Sequence, residues 1–237
     1  LDAASAVIPA HDLLEEVTVS PGRALTDYLS SKGMGLLSRQ LSRSGIVELV
    51  ATTAPGLDDL LVLGRIKAFE RELRADVIIV DGPAAGHALD LMRAPLQLKR
   101  AIGSGPISSQ ADEVLAMLSD AHRCKVMMVT TPAITPVTET AEAADDIVES
   151  VHVNLTPIVV NKCEALVHAI DVTHLSADMR KAYQYARDKQ SAQEDALAVL
   201  TDSLALPQLH LSRQRLNGKE LIDAISDELS TAIAALS

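Results

Sequence analysis

The chain has 237 residues, of which 48% are hydrophobic and 22% charged, a composition typical of a globular protein with a sizeable core. Its 32 acidic residues outnumber 21 basic ones and give a net charge of −11, so nucleic acid is not expected as a partner. Cys124 and Cys163 are the only cysteines, which excludes a disulfide scaffold, and no apolar run is long enough to span a membrane. We therefore expect a cytoplasmic protein.

The first part of the chain carries helical patterns. Residues 20–50 open with a Ser-Pro-Gly break and continue with leucines at helical spacing, which predicts a small helical insertion. Residues 57–74 follow with apolar side chains three and four positions apart and charges between them, which predicts a further helix.

Short apolar runs alternate with helical patterns along the rest of the chain. Four of these runs predict strands: 76–80, 125–131, 156–160 and 208–211. The first three runs consist mainly of consecutive apolar residues rather than alternating apolar and polar ones. This is typical of strands that are covered on both faces of a parallel sheet. The intervening patterns predict helices over 138–151, with Thr138 as the N-cap, over 177–205 and over 218–236. This order predicts an α/β fold with a doubly wound, mostly parallel sheet flanked by helices.

The most informative segment is the turn that follows the first predicted strand, residues 81–87. It places Asp81 at the carboxyl end of that strand, where doubly wound sheets bind ligands and where an acid holds Mg²⁺ directly or through water. Gly82 and Gly86 would let backbone amides approach a phosphate closely. The residues alone also fit a strand-ending turn whose Asp caps the next helix, so both interpretations stay open.

Residues 81–95, Asp-Gly-Pro-Ala-Ala-Gly-His followed by a short apolar helix and Pro, resemble the switch II segment of the arsenical pump-driving (anion-transporting) ATPase family. That family includes the guided-entry ATPase for tail-anchored membrane proteins. Further segments resemble the family in the same order: 53–60 with its Ala-Pro-Gly sequence, 105–111, 129–140 and 159–161. The resemblance implies a P-loop nucleotide-binding fold of the deviant Walker A group, with residues 1–237 forming a single ATPase domain.

The resemblance also implies a function, ATP hydrolysis with Mg²⁺ coupled to a conformational change of switch II. Asp81 would be the catalytic acid that holds the metal through water, and Asn161 would bind the adenine edge, although Asn161 also fits as a cap for the following turn. The residues implied to sense the γ-phosphate are Gly82, Pro83, Ala84, Ala85, Gly86 and His87. Because family members act as paired nucleotide domains, the resemblance implies a homodimer or a hetero-pair with a second ATPase domain, and a membrane-protein or transport partner.

The sequence departs from the family in two places. It contains no GxxxxGK[ST] loop, which in the family cradles the β- and γ-phosphates. Because that loop belongs to a strand and helix ahead of the matched segments, and because the chain begins with Leu1, we expect the missing unit upstream. A paralogue that naturally lacks the loop is the alternative explanation. The second departure is Ala85, which stands where the family usually has Thr; the missing hydroxyl lowers the expected efficiency of hydrolysis.

Two other functions stay open at the level of sequence. One is a non-hydrolysing regulatory subunit that keeps the fold and pairs with an active ATPase. The other is a partition or septum-site ATPase, against which stand the acidic balance and the acidic side chains of the last predicted helix. The histidines and cysteines lack the spacing of a zinc site, so Mg²⁺ bound with ATP is the metal we expect.

Overall fold

The computed structural model describes residues 14–31, 33, 55–73 and 75–236. Their helices and strands are, in chain order, α1 (Pro21–Ser31), α2 (Leu57–Arg71), α3 (Ala85–Ile102), α4 (Pro106–Leu118), β1 (Val129–Thr130), α5 (Ile134–Val151), β2 (Ile158–Cys163), α6 (Ala177–Ser203), β3 (Gln208–Ser212) and α7 (Gly218–Ala234). None of the helices in these ranges is long and apolar enough to cross a bilayer.

The chain divides into two compact units. The first, here called the sheet unit, contains Val126–Ala144 and Leu155–Ser237. The second, the helical unit, contains Ala10–Lys125 and Asp145–Asn154. The expectation that residues 1–237 form one nucleotide-binding domain stays a prediction.

The sheet unit is built on three parallel strands in the order β1-β2-β3, with Val129 opposite Val159 and Val159 opposite Leu209. Successive side chains of β2 point to opposite faces of the sheet, so they pack into two different cores. One core contains Ile158 and Val160 with residues of α5 and α6; its fully buried members are Val137, Ala144, Ile158, Val160, Ala196 and Leu200. On the other face Val159, Leu209 and Leu211 pack against Ile225, Leu229 and Ala232 of α7. This confirms a parallel sheet flanked by helices.

The predicted elements of the sheet unit agree with the structure to within a few residues, with two corrections. The strands predicted over 156–160 and 208–211 are β2 and β3, while the strand predicted over 125–131 is reduced to β1 and an isolated bridge between Val126 and Leu155. The N-cap prediction for Thr138 is wrong, because α5 begins at Ile134 and the Thr138 hydroxyl donates to the Ile134 carbonyl at 2.9 Å. Pro136 fits this earlier start, since the first helical turn needs no amide hydrogen there.

The helical unit brings α1 and α2 together around a small apolar core. Its members are Ala24, Leu25, Tyr28, Leu29, Leu57 and Leu61. Helix α1 lies within the predicted insertion of residues 20–50; of the rest of that prediction, residues 32 and 34–50 lie outside the described residues. Lys67 of α2 is only 5% exposed, and its ammonium donates to Glu113 at 2.6 Å and to Gln110 at 3.1 Å, which ties α2 to α4.

The strand predicted over 76–80 is absent from this structure. Residues 77–84 are irregular and exposed, with Val77 at 74% and Ile79 at 88% exposure. A central parallel strand is stable only when neighbouring strands satisfy its backbone and helices cover both faces. None of the described residues pairs with this segment. Within the described ranges, the apolar pattern therefore lacks the partners that it needs to become a strand.

Candidate functional site

The predicted site residues fall in both units and are described separately. Residues 81–87 belong to the helical unit and Asn161 belongs to the sheet unit. The first group links the exposed segment 77–80 to the start of α3.

Asp81 leaves its carboxylate available to solvent. The residue is exposed, and no side-chain hydrogen bond or ion pair joins it to another described residue. The interpretation of Asp81 as a cap of the next helix is not supported, because the residue at the N-cap of α3 is Ala84. An unpaired carboxylate in this position can hold a hydrated divalent cation.

The N-terminus of α3 has no capping side chain. Ala84 has φ −55° and ψ 154°, makes no side-chain cap, and accepts the first helical hydrogen bond from the N–H of Ala88 at 3.0 Å. The first turn contains no acidic residue, so its free amides and the positive end of the helix dipole are not neutralised from within the turn. A Cβ placed on Gly86 would meet no atom within 4 Å. The start of α3 is thus open to an anion.

His87 lies close to the carboxylates at the start of α2. Burial raises the pKa of Asp59 above its ordinary value, the charges of Asp58 and Asp90 raise it further, and His87 lowers it. One carboxyl oxygen of Asp58 is buried and has no hydrogen-bond partner within the described ranges. The charge interaction between His87 and Asp59 joins α3 to the start of α2, so movement of α3 would change it.

Asn161 occupies a bulge in β2 rather than the turn after the strand. Val160 is opposite His210 and Cys163 is opposite Ser212, so β2 has one residue more than β3 between these pairs. Lys162 takes the left-handed conformation, with φ 64°, and donates its N–H to Oδ1 of Asn161 at 2.8 Å. Nδ2 of Asn161 has no partner among the described residues, which leaves a donor and a free lone pair for a ligand such as an adenine edge.

Sequence reasoning missed the side chains that hold the backbone after Asn161. Gln193 of α6 is buried and accepts the N–H of Glu164 at 2.8 Å, and Gln190 accepts the N–H of Val167 at 2.8 Å. The available signal is weak, because both glutamines lie in a long polar stretch of helix that resembles an ordinary solvated face.

A protein-only metal site does not occur in the part of the chain that the structure describes. No group of three or more His, Cys, Asp or Glu side chains is arranged there to hold an ion. Cys124 and Cys163 form no disulfide, and burial raises the pKa of each thiol above its ordinary value, so both favour the neutral form.

Comparison with known families agrees with the motifs. The family described as anion-transporting ATPase matches residues 30–105, a segment that contains residues 81–87 but not Asn161. ATPase BagA of Mycobacterium tuberculosis is 30% identical over 149 residues, which make up 59% of this chain and 42% of that protein. The chain therefore spans about two fifths of the length of this curated relative.

Eukaryotic relatives are similar over shorter stretches. ATPase GET3B of Arabidopsis thaliana is 29% identical over 85 residues, covering 35% of this chain and 21% of the plant protein. ATPase get3 of Schizosaccharomyces pombe is 26% identical over 104 residues, covering 44% of this chain and 31% of the yeast protein. These similarities confirm the resemblance inferred from the motifs: the chain is similar to the anion-transporting ATPases and to proteins named GET3 and arsenical pump-driving ATPase.

Proposed function

We propose that this chain is part of an ATP-binding and ATP-hydrolysing protein of the anion-transporting ATPase type that acts in the cytoplasm. The observation that carries the proposal is the position of Asp81. It lies inside the family-matched segment, it is exposed and unpaired among the described residues, and it precedes a helix with no capping side chain.

The residues present fit Mg²⁺ and ATP in part. In the helical unit, Asp81 would hold the metal through water and the first-turn amides of α3 would face phosphate oxygens. In the sheet unit, taken by itself, Asn161 offers the polar atoms that an adenine edge requires. Bound Mg²⁺ supplies positive charge that neutralises the phosphates during hydrolysis. The sequence contains no GxxxxGK[ST] loop, so the cradle for the β- and γ-phosphates has to come from another segment.

The exposure of the apolar segment 77–80 supports the proposal that a neighbouring strand covers it in the complete protein. Four consecutive β-branched residues in water lose the burial that such side chains normally gain, about 1.5–3 kcal/mol for each that is fully covered. We propose that a strand carrying the P-loop pairs with this segment in the longer protein. Pairing would turn residues 76–80 into a strand and place Asp81 at its carboxyl end.

Residues 82–87 would act as the switch. Their backbone is irregular up to Ala84 and helical from Ala85, so contacts with a phosphate at the start of α3 can shift this boundary. His87 would transmit the shift, because its interaction with the Asp59 carboxylate depends on the position of α3.

The alternative function is a partner subunit that does not hydrolyse ATP. Ala85 favours it, since a switch without the usual hydroxyl is less suited to sensing a phosphate. In either case we propose that the protein works as a homodimer or as a hetero-pair with a second ATPase domain, and that it serves a membrane-protein or transport partner.

The test uses the protein produced from its complete reading frame, in three forms: wild type, Asp81→Asn and Asp76→Asn. Asp76 is the matched control, because it is an exposed aspartate at the other end of the same segment. We expect Asp81→Asn to lower ATP turnover about 10²–10³-fold, the usual effect of losing one preorganised electrostatic group, with little change in melting temperature. Asp76→Asn should retain turnover.

The outcomes separate the proposals. An Asp81→Asn protein with full turnover would overturn the metal-binding role of Asp81. A wild-type protein that binds ATP without hydrolysing it would favour the partner subunit, and one that binds no ATP would refute both functions. Binding is measured by titration calorimetry and turnover by steady-state phosphate release.

A further inference from the structure

A buried glutamine of α6 holds the backbone that follows the bulge at Asn161. We propose that Gln193 is a positioning residue for the nucleotide base: it fixes the end of β2 so that the Asn161 amide points in a single direction. This inference rests on the proposed function, since it concerns how the chain would discriminate adenine from other bases.

Both polar atoms of the Gln193 side chain form hydrogen bonds with the backbone of Glu164. The glutamine is 8% exposed, its Oε1 accepts the Glu164 N–H at 2.8 Å, and its Nε2 donates to the Glu164 carbonyl at 3.5 Å. One side chain thus satisfies both backbone groups of the residue directly after β2. A helix side chain that takes the place of a neighbouring strand in this way determines where the β2 backbone leaves the sheet.

The bulge makes Asn161 depend on this anchor. The extra residue of a bulge has no ladder partner, so its orientation follows from the anchors on either side. On one side the anchor is the Val160–His210 pair; on the other it is the Cys163–Ser212 pair, extended by the contact of Glu164 with Gln193. Removing Gln193 leaves a partly buried N–H unsatisfied, and the backbone would shift to satisfy it.

Further contacts along α6 hold the same loop but are more exposed. Gln190 accepts the Val167 N–H at 2.8 Å, and Arg187 donates to the Val167 carbonyl at 3.1 Å. The carboxylate of Glu164 also pairs with Lys189 at 2.8 Å. Since water competes for these exposed contacts, the buried pair formed by Gln193 is the one that fixes the geometry.

The experiment measures base selectivity, which a purely structural role would leave unchanged. In the protein from its complete reading frame, the dissociation constants of ATP and GTP are measured with Mg²⁺ by titration calorimetry, together with the melting temperature. The variants are Gln193→Met, which removes both polar contacts, and Gln193→Glu, which keeps an oxygen to accept the Glu164 N–H. The control is Gln208→Met, whose amide donates instead to the Thr201 hydroxyl at 2.9 Å, between β3 and the end of α6.

We expect wild type to bind ATP more tightly than GTP, Gln193→Met to lower this ratio of affinities about tenfold, and the control to keep it. Gln193→Glu should lower the ratio less than Gln193→Met, because it keeps the acceptor for the Glu164 N–H but loses the donor to the Glu164 carbonyl. An unchanged preference in Gln193→Met, with only a lower melting temperature, would overturn the inference while the ATPase proposal stands. A wild-type protein that binds ATP and GTP equally would also overturn the inference about Gln193 and leave the ATPase proposal standing. A wild-type protein that binds neither overturns both proposals.

A second variant covers the case in which Gln193→Met does not fold. Gln193→Asn keeps an amide at the same buried position but is one methylene shorter, so it weakens both contacts with Glu164 with less risk to the core. A reduced ATP preference in Gln193→Asn would then support the inference, and an unchanged preference would overturn it.

Discussion

Gly56 packs so closely against Ala94 that a Cβ on residue 56 would lie 3.2 Å from the Ala94 Cβ. Gly56 also has φ 80° and forms the N-cap of α2. Gly56, the last residue of the Ala-Pro-Gly motif, therefore meets the 81–95 segment in the structure, and both lie inside the family-matched range. Gly56 can be explained by packing and backbone conformation, so its place in the motif needs no contact with a nucleotide.

This relationship predicts that Gly56→Ala destabilises the helical unit. The substitution places an L side chain at positive φ, which costs about 1–2 kcal/mol, and it also crowds Ala94. Gly33→Ala is the matched control, because Gly33 has φ 78° but a Cβ there meets nothing within 4 Å. Urea unfolding should show a larger loss of unfolding free energy for Gly56→Ala than for Gly33→Ala. Equal losses would mean that the contact with Ala94 adds no constraint.

Much of the sheet unit was predictable because its patterns are local. Ser176 precedes the predicted helix 177–205, and its hydroxyl accepts the N–H of Met179 at 3.2 Å, so α6 begins where the sequence indicates. The apolar runs of β2 and β3 likewise find neighbours in the described sheet, at Val159–Leu209 and adjacent pairs.

The sequence-based predictions fail where the structure depends on contacts with residues that are distant in the sequence. Residues 76–80 have the composition of a buried strand, yet a strand exists only if another strand bonds to it. The bulge at Asn161 depends on the pairing between β2 and β3 and on the conformation of Lys162. The burial of Gln193 becomes visible only when α6 is placed against the end of β2.

The ion pair between Glu70 and Arg123 predicts a pH-dependent contribution to stability. Two contacts of 2.6 and 2.7 Å join the groups, and the hydrogen bond from Arg123 lowers the pKa of Glu70 below its ordinary value. A carboxyl whose pKa is lower in the folded state stabilises the fold above its unfolded pKa of about 4.3. That contribution is lost as the pH falls through the folded pKa.

We therefore expect Glu70→Gln to lower the free energy of unfolding at pH 7 by no more than about 1 kcal/mol, because the pair is partly exposed. The difference from wild type should shrink as the pH falls below about 4.3, the ordinary pKa of a glutamate. The control is Glu149→Gln, an exposed position with no described ion pair. A difference that stays constant from pH 7 to pH 3 would show that the Glu70 charge makes no contribution.

His87→Ala tests the proposed switch. If His87 transmits the position of α3 to Asp59, its loss should reduce partner-stimulated ATP turnover about tenfold, equivalent to about 1.4 kcal/mol, while nucleotide affinity changes little. His122→Ala, in an exposed turn of the same unit, serves as the control. Steady-state turnover with and without the partner, together with ATP titration, measures both effects. Equal losses of ATP affinity and ATP turnover would show that His87 contributes to nucleotide binding rather than to the switch.

The exposed segment 77–80 gives the most direct test of the completed sheet. In the protein from its complete reading frame, a strand paired with this segment would protect its backbone amides from hydrogen exchange. We expect these amides to exchange about a hundredfold or more slowly than those of residues 16–18, which are exposed and irregular. Ile79→Pro should abolish the protection and lower ATP affinity, because proline removes a backbone hydrogen-bond donor two residues before Asp81. If residues 77–80 exchange as fast as residues 16–18 in the complete protein, then no strand forms there, and Asp81 does not lie at the end of a strand.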